Sequence, residues 1–222
     1  MPPQPIIVAP TPTPFTKDES IDHALLAESV EKWCLTELSG FVLGTYGGEE
    51  FHLGEPDKLS IIDTVVQAHQ GRRFVIAGID TLSPTEAVRL AGLYAEHGAD
   101  FVRVRIPPRA SWSGVAADGE VLQQYFAQVT VGSPVPVIII HQPKPPTGSP
   151  DATPQEIAQI CSLPNVHAYI MGLEHRTESL VAALLPPSCP LWACNGSLLA
   201  ASALLGAVGA CCFFANCAAL PH

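Results

Sequence analysis

The sequence has few basic residues and few charges overall. Only 11 of its 222 residues are lysine or arginine, against 21 that are aspartate or glutamate, so the formal net charge at pH 7 is −10. Nucleic acids and anionic membranes bind clustered lysine and arginine, and this composition argues against both as partners. A small or neutral molecule is therefore the expected ligand.

Long hydrophobic runs and leader-like segments are also missing. The most apolar stretch, residues 198–220, is interrupted by Gly206, Gly209 and Asn216, which favours a helix and a strand over a membrane span. The first fifteen residues contain several prolines and no basic residue. This pattern predicts no secretory signal and a cytoplasmic protein.

The cysteines lack the spacings that bind metals. Seven cysteines are present, with no CxxC pair and no zinc spacing, so we predict no metal site and no cofactor. Small, buried, reduced thiols are the expected state. They are Cys34, Cys161, Cys189, Cys194, Cys211, Cys212 and Cys217.

The length and the hydrophobic pattern predict one domain over residues 1–222. The composition is 47% hydrophobic and 14% charged, which is typical of a globular chain. Eight predicted strands alternate with seven predicted helices about every thirty residues, which favours a (β/α)8 TIM barrel. A doubly wound open sheet is the alternative, but its nucleotide loop is absent. No helix is predicted after the eighth strand, so we expect a shortened barrel whose last strand is exposed or covered by a partner.

A glycine-rich turn follows the second predicted strand. The stretch from Gly40 to Leu53 reads GFVLGTYGGEEFHL, four apolar or small residues running into a polar turn. Glycines allow positive φ and close approach of backbone N–H groups to a small ligand. We predict substrate binding by the turn and a hydrogen bond from its phenol to a carbonyl or enolate. The residues of this predicted site are Thr45, Tyr46, Gly47, Gly48 and Glu49.

Charged and titratable side chains follow two later strands. Arg103 and Arg105 lie two residues apart on the fourth predicted strand, so they share one face. Burial would require a partner for them, which Glu49, Asp80 or a ligand carboxylate would supply. His141 ends the fifth strand and has the pKa range of a general acid or base, with a packed core histidine as the alternative.

A series of short motifs runs in order along nearly the whole chain. They are Thr13-Pro14-Phe15 with Ile21-Asp22, Gly47-Gly48-Glu49 with Leu53, Ala77-Gly78, Gly98-Ala99-Asp100, Pro107, the strand between Pro136 and Pro143, Pro164-Asn165-Val166, and the stretch from Leu205 to Gly209 with Ala215-Asn216. The series resembles the dihydrodipicolinate synthase and N-acetylneuraminate lyase family, and most of all its 4-hydroxy-2-oxoglutarate aldolase branch. The resemblance implies a (β/α)8 barrel and a homo-oligomer, a dimer or a tetramer.

The resemblance also implies a chemistry that this sequence does not carry. The family uses a lysine at the end of strand six to form an imine with a 2-oxo acid, and a tyrosine at the end of strand five to relay protons. The aligned positions hold Ile170 and Ile140, and neither side chain can form an imine or move a proton. Of the four lysines in the chain, Lys144 alone follows a strand at the expected active face.

Three functional hypotheses remain open from the sequence. With Ile140, Ile170 and Cys211 lining it, the pocket favours an apolar or aromatic carbonyl compound as substrate. The first hypothesis is a cofactor-independent lyase, cyclase or isomerase that uses Tyr46, His141 and an arginine. The second is a non-catalytic pseudo-aldolase kept for binding or scaffolding. The third is a 2-oxo acid aldolase or lyase in which Lys144 has taken over imine formation.

Overall fold

The computed structural model describes residues 4–108, 119–142, 152–172, 175–194 and 196–218. Within them, eight parallel strands close into a barrel in the order β1 to β8, with β8 pairing back onto β1. The strands are β1 Ile6–Pro10, β2 Gly40–Leu43, β3 Phe74–Ile79, β4 Phe101–Arg105, β5 Val137–His141, β6 Val166–Met171, β7 Leu191–Ala193 and β8 Gly209–Cys211. The predicted fold class is confirmed.

Helices follow the strands and form the outer layer. They are α1 His23–Trp33, α2 Glu55–His69, α3 Pro84–Glu96, α4 Gly119–Gly132, α5 Pro154–Cys161, α6 His175–Leu184, α7 Leu199–Leu204 and α8 Ala215–Ala218. Local sequence sets where they begin: the Thr153 hydroxyl accepts a hydrogen bond from the Glu156 N–H at 3.2 Å, and the Glu156 carboxylate accepts one from the Thr153 N–H at 2.6 Å. This capping box satisfies two backbone donors that the helix cannot.

The helix after β8 corrects one expectation. The sequence predicts no eighth helix there, but the structure has α8, a helix of four residues. Asn216 fixes it to the start of the barrel, because its Nδ2 donates to the Pro10 carbonyl oxygen at 2.7 Å. Trp33 Nε1 donates to the carbonyl oxygen of Asn216 at 3.4 Å. The end of the described chain is thereby attached to β1 and α1.

Two apolar layers make up the core. The outer layer lies between the strands and the helices, and the inner layer fills the barrel. Because side chains alternate along a strand, every second residue faces inward. The fully buried ring of Trp192 is the largest apolar side chain of the inner layer. Its edge-to-face neighbour is His167, which in turn contacts Phe101 at a tilted angle. The buried members of the inner layer are Val8, Val42, Ile76, Ile138, Ile140, Ala168, Ile170, Trp192 and Cys211.

Candidate active site

Two arginines and two carboxylates meet at the carboxyl ends of neighbouring strands. Arg103 and Arg105 come from β4, Asp80 follows β3, and Glu50 ends the turn that follows β2. In a parallel barrel these ends open onto one face, where the loops place functional groups. We call Glu50, Asp80, Arg103 and Arg105 the charged quartet.

Arg103 forms the buried side of the quartet. Its side chain is 1% exposed. Its Nη2 donates to Asp80 Oδ2 at 2.7 Å, to Glu50 Oε2 at 3.2 Å and to the Gly44 carbonyl oxygen at 2.9 Å. A buried guanidinium costs several kcal/mol unless such partners surround it, so these contacts are what allow a charge inside the barrel.

Arg105 forms the side of the quartet that faces the mouth. Its Nη2 donates to Glu50 Oε1 at 2.8 Å, its Nε donates to Asp80 Oδ1, and its Nη1 donates to the side-chain oxygen of Gln142 at 2.8 Å. Each carboxylate therefore offers one oxygen to each arginine. With both acids ionised, the four charges sum to zero.

The two carboxyl groups differ in proton affinity. Burial raises the pKa of Asp80, but the guanidiniums of Arg103 and Arg105 outweigh it and hold this pKa at about 2. Burial and the neighbouring Asp80 carboxylate raise the pKa of Glu50, against the pull of both arginines. Asp80 therefore stays ionised at neutral pH, and Glu50 takes up a proton more readily than an exposed glutamate does.

A cavity opens directly on this quartet. Its volume is about 110 Å³, and Asp80, Arg105 and Gln142 supply polar atoms to a largely apolar wall. A cavity of about 150 Å³ holds benzene, so this one has room for a small molecule or for one functional group of a larger ligand. The lining residues are Phe51, Asp80, Thr81, Leu82, Arg105, Ile106, Pro107, Pro108 and Gln142.

Apolar residues fill the barrel below the cavity. Ile140 and Ile170 are 3% and 0% exposed and belong to the inner layer, the orientation expected from the sequence. Cys211 is also buried there, and burial raises the pKa of its thiol. Trp192 was not among the predicted site residues, although strand alternation from Cys194 would have placed it inward.

The turn after β2 contributes a different glutamate from the predicted one. Glu49 has a left-handed backbone (φ 63°), and its carboxylate pairs with His52 at 2.9 Å outside the quartet. The turn in the chain at Glu49 brings the next residue, Glu50, inward, where it is 3% exposed. Sequence reasoning missed Glu50 because two consecutive glutamates look equivalent until the backbone conformation between them is known.

The rest of this turn lies beside the quartet. Thr45 is buried, and its hydroxyl has no hydrogen-bond partner among the described residues. Tyr46 begins a short 3-10 turn through Gly48 and is 73% exposed, so its ring lies largely in solvent. Gly48 packs closely on the chain, since a Cβ there would lie 2.6 Å from the Thr11 carbonyl oxygen. Gly47 lies against the Phe213 ring in the same way, with a Cβ position 2.2 Å from a ring carbon.

The structure does not bring His141 into this group. His141 follows Ile140, which faces inward, so its side chain lies on the outer face of β5. It is 2% exposed, and burial lowers its pKa to about 4. Lys144 lies outside the described residues, and so does Arg109. Among the three described lysines, Lys32 lies on α1, Lys58 lies on α2 and Lys17 lies in the loop after β1, and none of them lines the cavity at the quartet.

The described ranges contain neither a metal-binding cluster nor a membrane-spanning helix. No group of three or more histidine, cysteine, aspartate or glutamate side chains there is arranged to hold a metal ion. None of the described helices has the length and apolarity needed to cross a membrane.

Comparisons with known proteins agree on one family. The family model described as the dihydrodipicolinate synthetase family matches residues 3–221. A 4-hydroxy-tetrahydrodipicolinate synthase from Caldicellulosiruptor saccharolyticus is 24% identical over 92% of this chain and 67% of its own length. An N-acetylneuraminate lyase from Rhizobium meliloti is 27% identical over 76% of this chain and 52% of its own length. The chain thus spans about two thirds of the first relative and about half of the second.

Solved structures show the same fold. Dihydrodipicolinate synthase from Aquifex aeolicus superposes with a TM-score of 0.83 at 24% identity, covering 96% of this chain and 70% of the other.

Proposed function

The chain belongs to the dihydrodipicolinate synthetase family. We propose that it is an enzyme, a lyase, cyclase or isomerase, and that it works without an imine and without a cofactor. Its proposed substrate is a small, fairly apolar or aromatic compound that carries a carbonyl group. The observation behind this proposal is that Ile140 and Ile170 are packed into the inner layer, while polar groups line the cavity above them.

Arg105 has the central role in the proposal. Among the described residues it is the cation in the wall of the cavity, and its N–H groups are held in place by Asp80, Glu50 and Gln142. A guanidinium held in this way can donate to a substrate carbonyl and stabilise the negative charge that develops there when an adjacent bond breaks or an α-proton leaves. The low exposure of Arg105, 10% of its side chain, strengthens such an interaction.

The carboxylates and the turn have supporting roles. Asp80 reaches the cavity as an ionised carboxylate, which can accept a hydrogen bond from a substrate hydroxyl and so position it. Glu50 pairs with both arginines on the side away from the cavity and fixes their positions. Tyr46 remains in the proposal as a hydroxyl at the rim, with Thr45, Gly47 and Gly48 shaping the turn. His141 is left out because it lies on the other face of β5.

Imine trapping tests the chemistry first. The protein is incubated with pyruvate and longer 2-oxo acids, reduced with borohydride and weighed intact, beside a lysine-bearing family member as the positive control. The expected result is no adduct on this chain. A stable adduct that is lost in Lys144→Arg would replace the proposal with the relocated-lysine aldolase.

Substitutions at the cavity then test the binding role. A panel of small ketones and aromatic carbonyl compounds is screened for binding and turnover by NMR. Gln142→Leu and Arg105→Lys are expected to weaken any hit at least tenfold, since each removes a hydrogen bond at the cavity. Arg89→Lys is the matched control, because Arg89 is a half-exposed arginine on α3 that pairs with Glu55 and Glu86. Equal activity in all three variants would rule out this site.

The second candidate is a non-catalytic pseudo-aldolase. It is favoured by the quartet itself, whose charges already neutralise one another without a ligand. Large exposed apolar side chains near the mouth, including Tyr46, Phe51 and Phe213, would be covered in a homo-oligomer, for which we propose a dimer or a tetramer. Tight binding of a carbonyl compound with no turnover, in an oligomer of fixed size, would support this candidate over the enzyme.

A further inference from the structure

Two cysteines lie side by side where β7 and β8 end. The parallel register pairs Ala193 with Ala210, so the next residues on the two strands, Cys194 and Cys211, are neighbours across the sheet. Both thiols are free. Cys194 packs against the inner layer to which Cys211 belongs, so the two side chains face the same way.

We propose that Cys194 and Cys211 form a dithiol modification site that small disulfides convert into a cross-strand disulfide. The spacing permits it. Adjacent strands are about 4.8 Å apart, and Cα atoms joined by a disulfide are about 4.4 to 6.8 Å apart. Bridged Cβ atoms lie about 3.8 Å apart, which two side chains on the same face of neighbouring strands can reach.

The exposures of the two thiols set the order of events. Cys194 is half-buried and Cys211 is 3% exposed, so a reagent from solution meets Cys194 first. Its sulfur lies 3.5 Å from Gln142 Nε2, at the rim of the barrel. Burial raises the pKa of both thiols, while the positive charge of Arg103 acts on both in the opposite direction. The thiolate is the reacting form, so burial slows the exchange and the charge of Arg103 offsets only part of that effect.

The exchange balances with oxidised glutathione as the oxidant. The Cys194 thiolate attacks one sulfur of oxidised glutathione, which forms a mixed disulfide and releases one glutathione thiolate. The Cys211 thiolate then attacks the sulfur of Cys194 and expels the second glutathione thiolate. Both cysteine protons are lost to solvent, two electrons pass to the glutathione disulfide, and two glutathione molecules are produced.

Three of the other cysteines provide the comparison. Cys161 and Cys189 are also buried and in contact, but at 2% and 3% exposure neither offers a sulfur to a reagent in solution. Cys217 is exposed and has no role in the proposal. The site is therefore defined by one accessible thiol beside one buried thiol.

The test is disulfide mapping on the native, full-length protein. The reduced protein is incubated with oxidised glutathione, quenched with acid, alkylated without reduction and digested. The expected product is a cross-linked peptide pair containing Cys194 and Cys211, with the intact chain lighter by two hydrogen atoms. Cys194→Ser should lose the bridge completely, and Cys217→Ser should form it as the wild type does.

A third variant checks the order of the two steps. Cys211→Ala should stop at a glutathione adduct on Cys194, because the second thiol is missing. If this variant fails to fold, mapping of the wild type still decides whether the bridge between Cys194 and Cys211 forms. Three outcomes overturn the proposal: no bridge in the wild type, a persistent glutathione adduct on wild-type Cys194, or a bridge between Cys161 and Cys189 instead.

Discussion

Replacing Arg103 with methionine should destabilise the fold severely. The guanidinium is 1% exposed and donates to Asp80, Glu50 and the Gly44 carbonyl oxygen. Methionine is unbranched, shorter and uncharged, so the substitution leaves two buried carboxylates with Arg105 as their remaining partner in the quartet. Breaking a buried ion pair by removing one partner costs about 3 to 5 kcal/mol. Since whole domains are stable by about 5 to 15 kcal/mol, the loss would be a large part of the total.

Urea unfolding, followed by circular dichroism, measures this loss. Arg89→Met is the matched control, because its 49% exposed side chain pairs with two carboxylates on the surface, and its loss should cost far less than that of Arg103. The double variant Arg103→Met with Asp80→Leu should lose less free energy than the sum of the single variants, because the unpaired charge is removed along with its partner. Equal losses for Arg103→Met and Arg89→Met would refute the view that the quartet is a tightly coupled, buried unit.

Three further measurements probe the same end of the barrel. Gly78→Ala should lower the free energy of unfolding by about 2 kcal/mol or more, because its Cβ would lie 2.2 Å from the Gly44 carbonyl oxygen. Gly92→Ala, in an open position on α3, should instead raise it by about 0.5 to 1 kcal/mol, and a similar loss in both would contradict the packing argument. The pKa of His141 is about 4 in the folded protein and 6.5 in the unfolded chain, so the unfolded chain binds the proton first as the pH falls. The free energy of unfolding should therefore drop by about 3 kcal/mol between pH 6.5 and pH 4. His141→Leu should lack this drop when urea unfolding is measured across the same pH range. The pKa of Asp80 is about 2 in the folded protein and 3.8 in the unfolded chain. Its ionised carboxylate therefore adds about 2 kcal/mol to the free energy of unfolding above pH 4, and this contribution is lost between pH 4 and pH 2. Asp80→Asn should lack this acid-dependent loss.

The barrel could be predicted from the sequence because its signals are local and repeated. Apolar strands alternate with capped helices such as α3, where Ser83 accepts a hydrogen bond from the Glu86 N–H. The shared face of Arg103 and Arg105 follows from their spacing of two residues. These features depend on the pattern along one element, and such patterns can be read without knowing how elements pack.

The composition of the site could be predicted only in part, because it depends on geometry between elements. The choice of Glu50 over Glu49 is made by one left-handed residue in a turn, which composition does not reveal. The outward position of His141 could have been inferred from Ile140, since neighbours on a strand face opposite sides. The cavity is formed where Phe51, Leu82 and Pro107 come together from separate loops, and this is a property of packing in three dimensions.

The mutual neutralisation of the charged quartet also limits how this barrel can change over generations. Any single replacement of Glu50, Asp80, Arg103 or Arg105 by an uncharged residue leaves a net charge in a nearly dry interior, which is costly. Viable routes must therefore alter an acid and an arginine together, or pass through a poorly folded intermediate. The four positions are expected to be inherited as one block, while the apolar wall of the cavity can vary one residue at a time and adapt the site to new ligands.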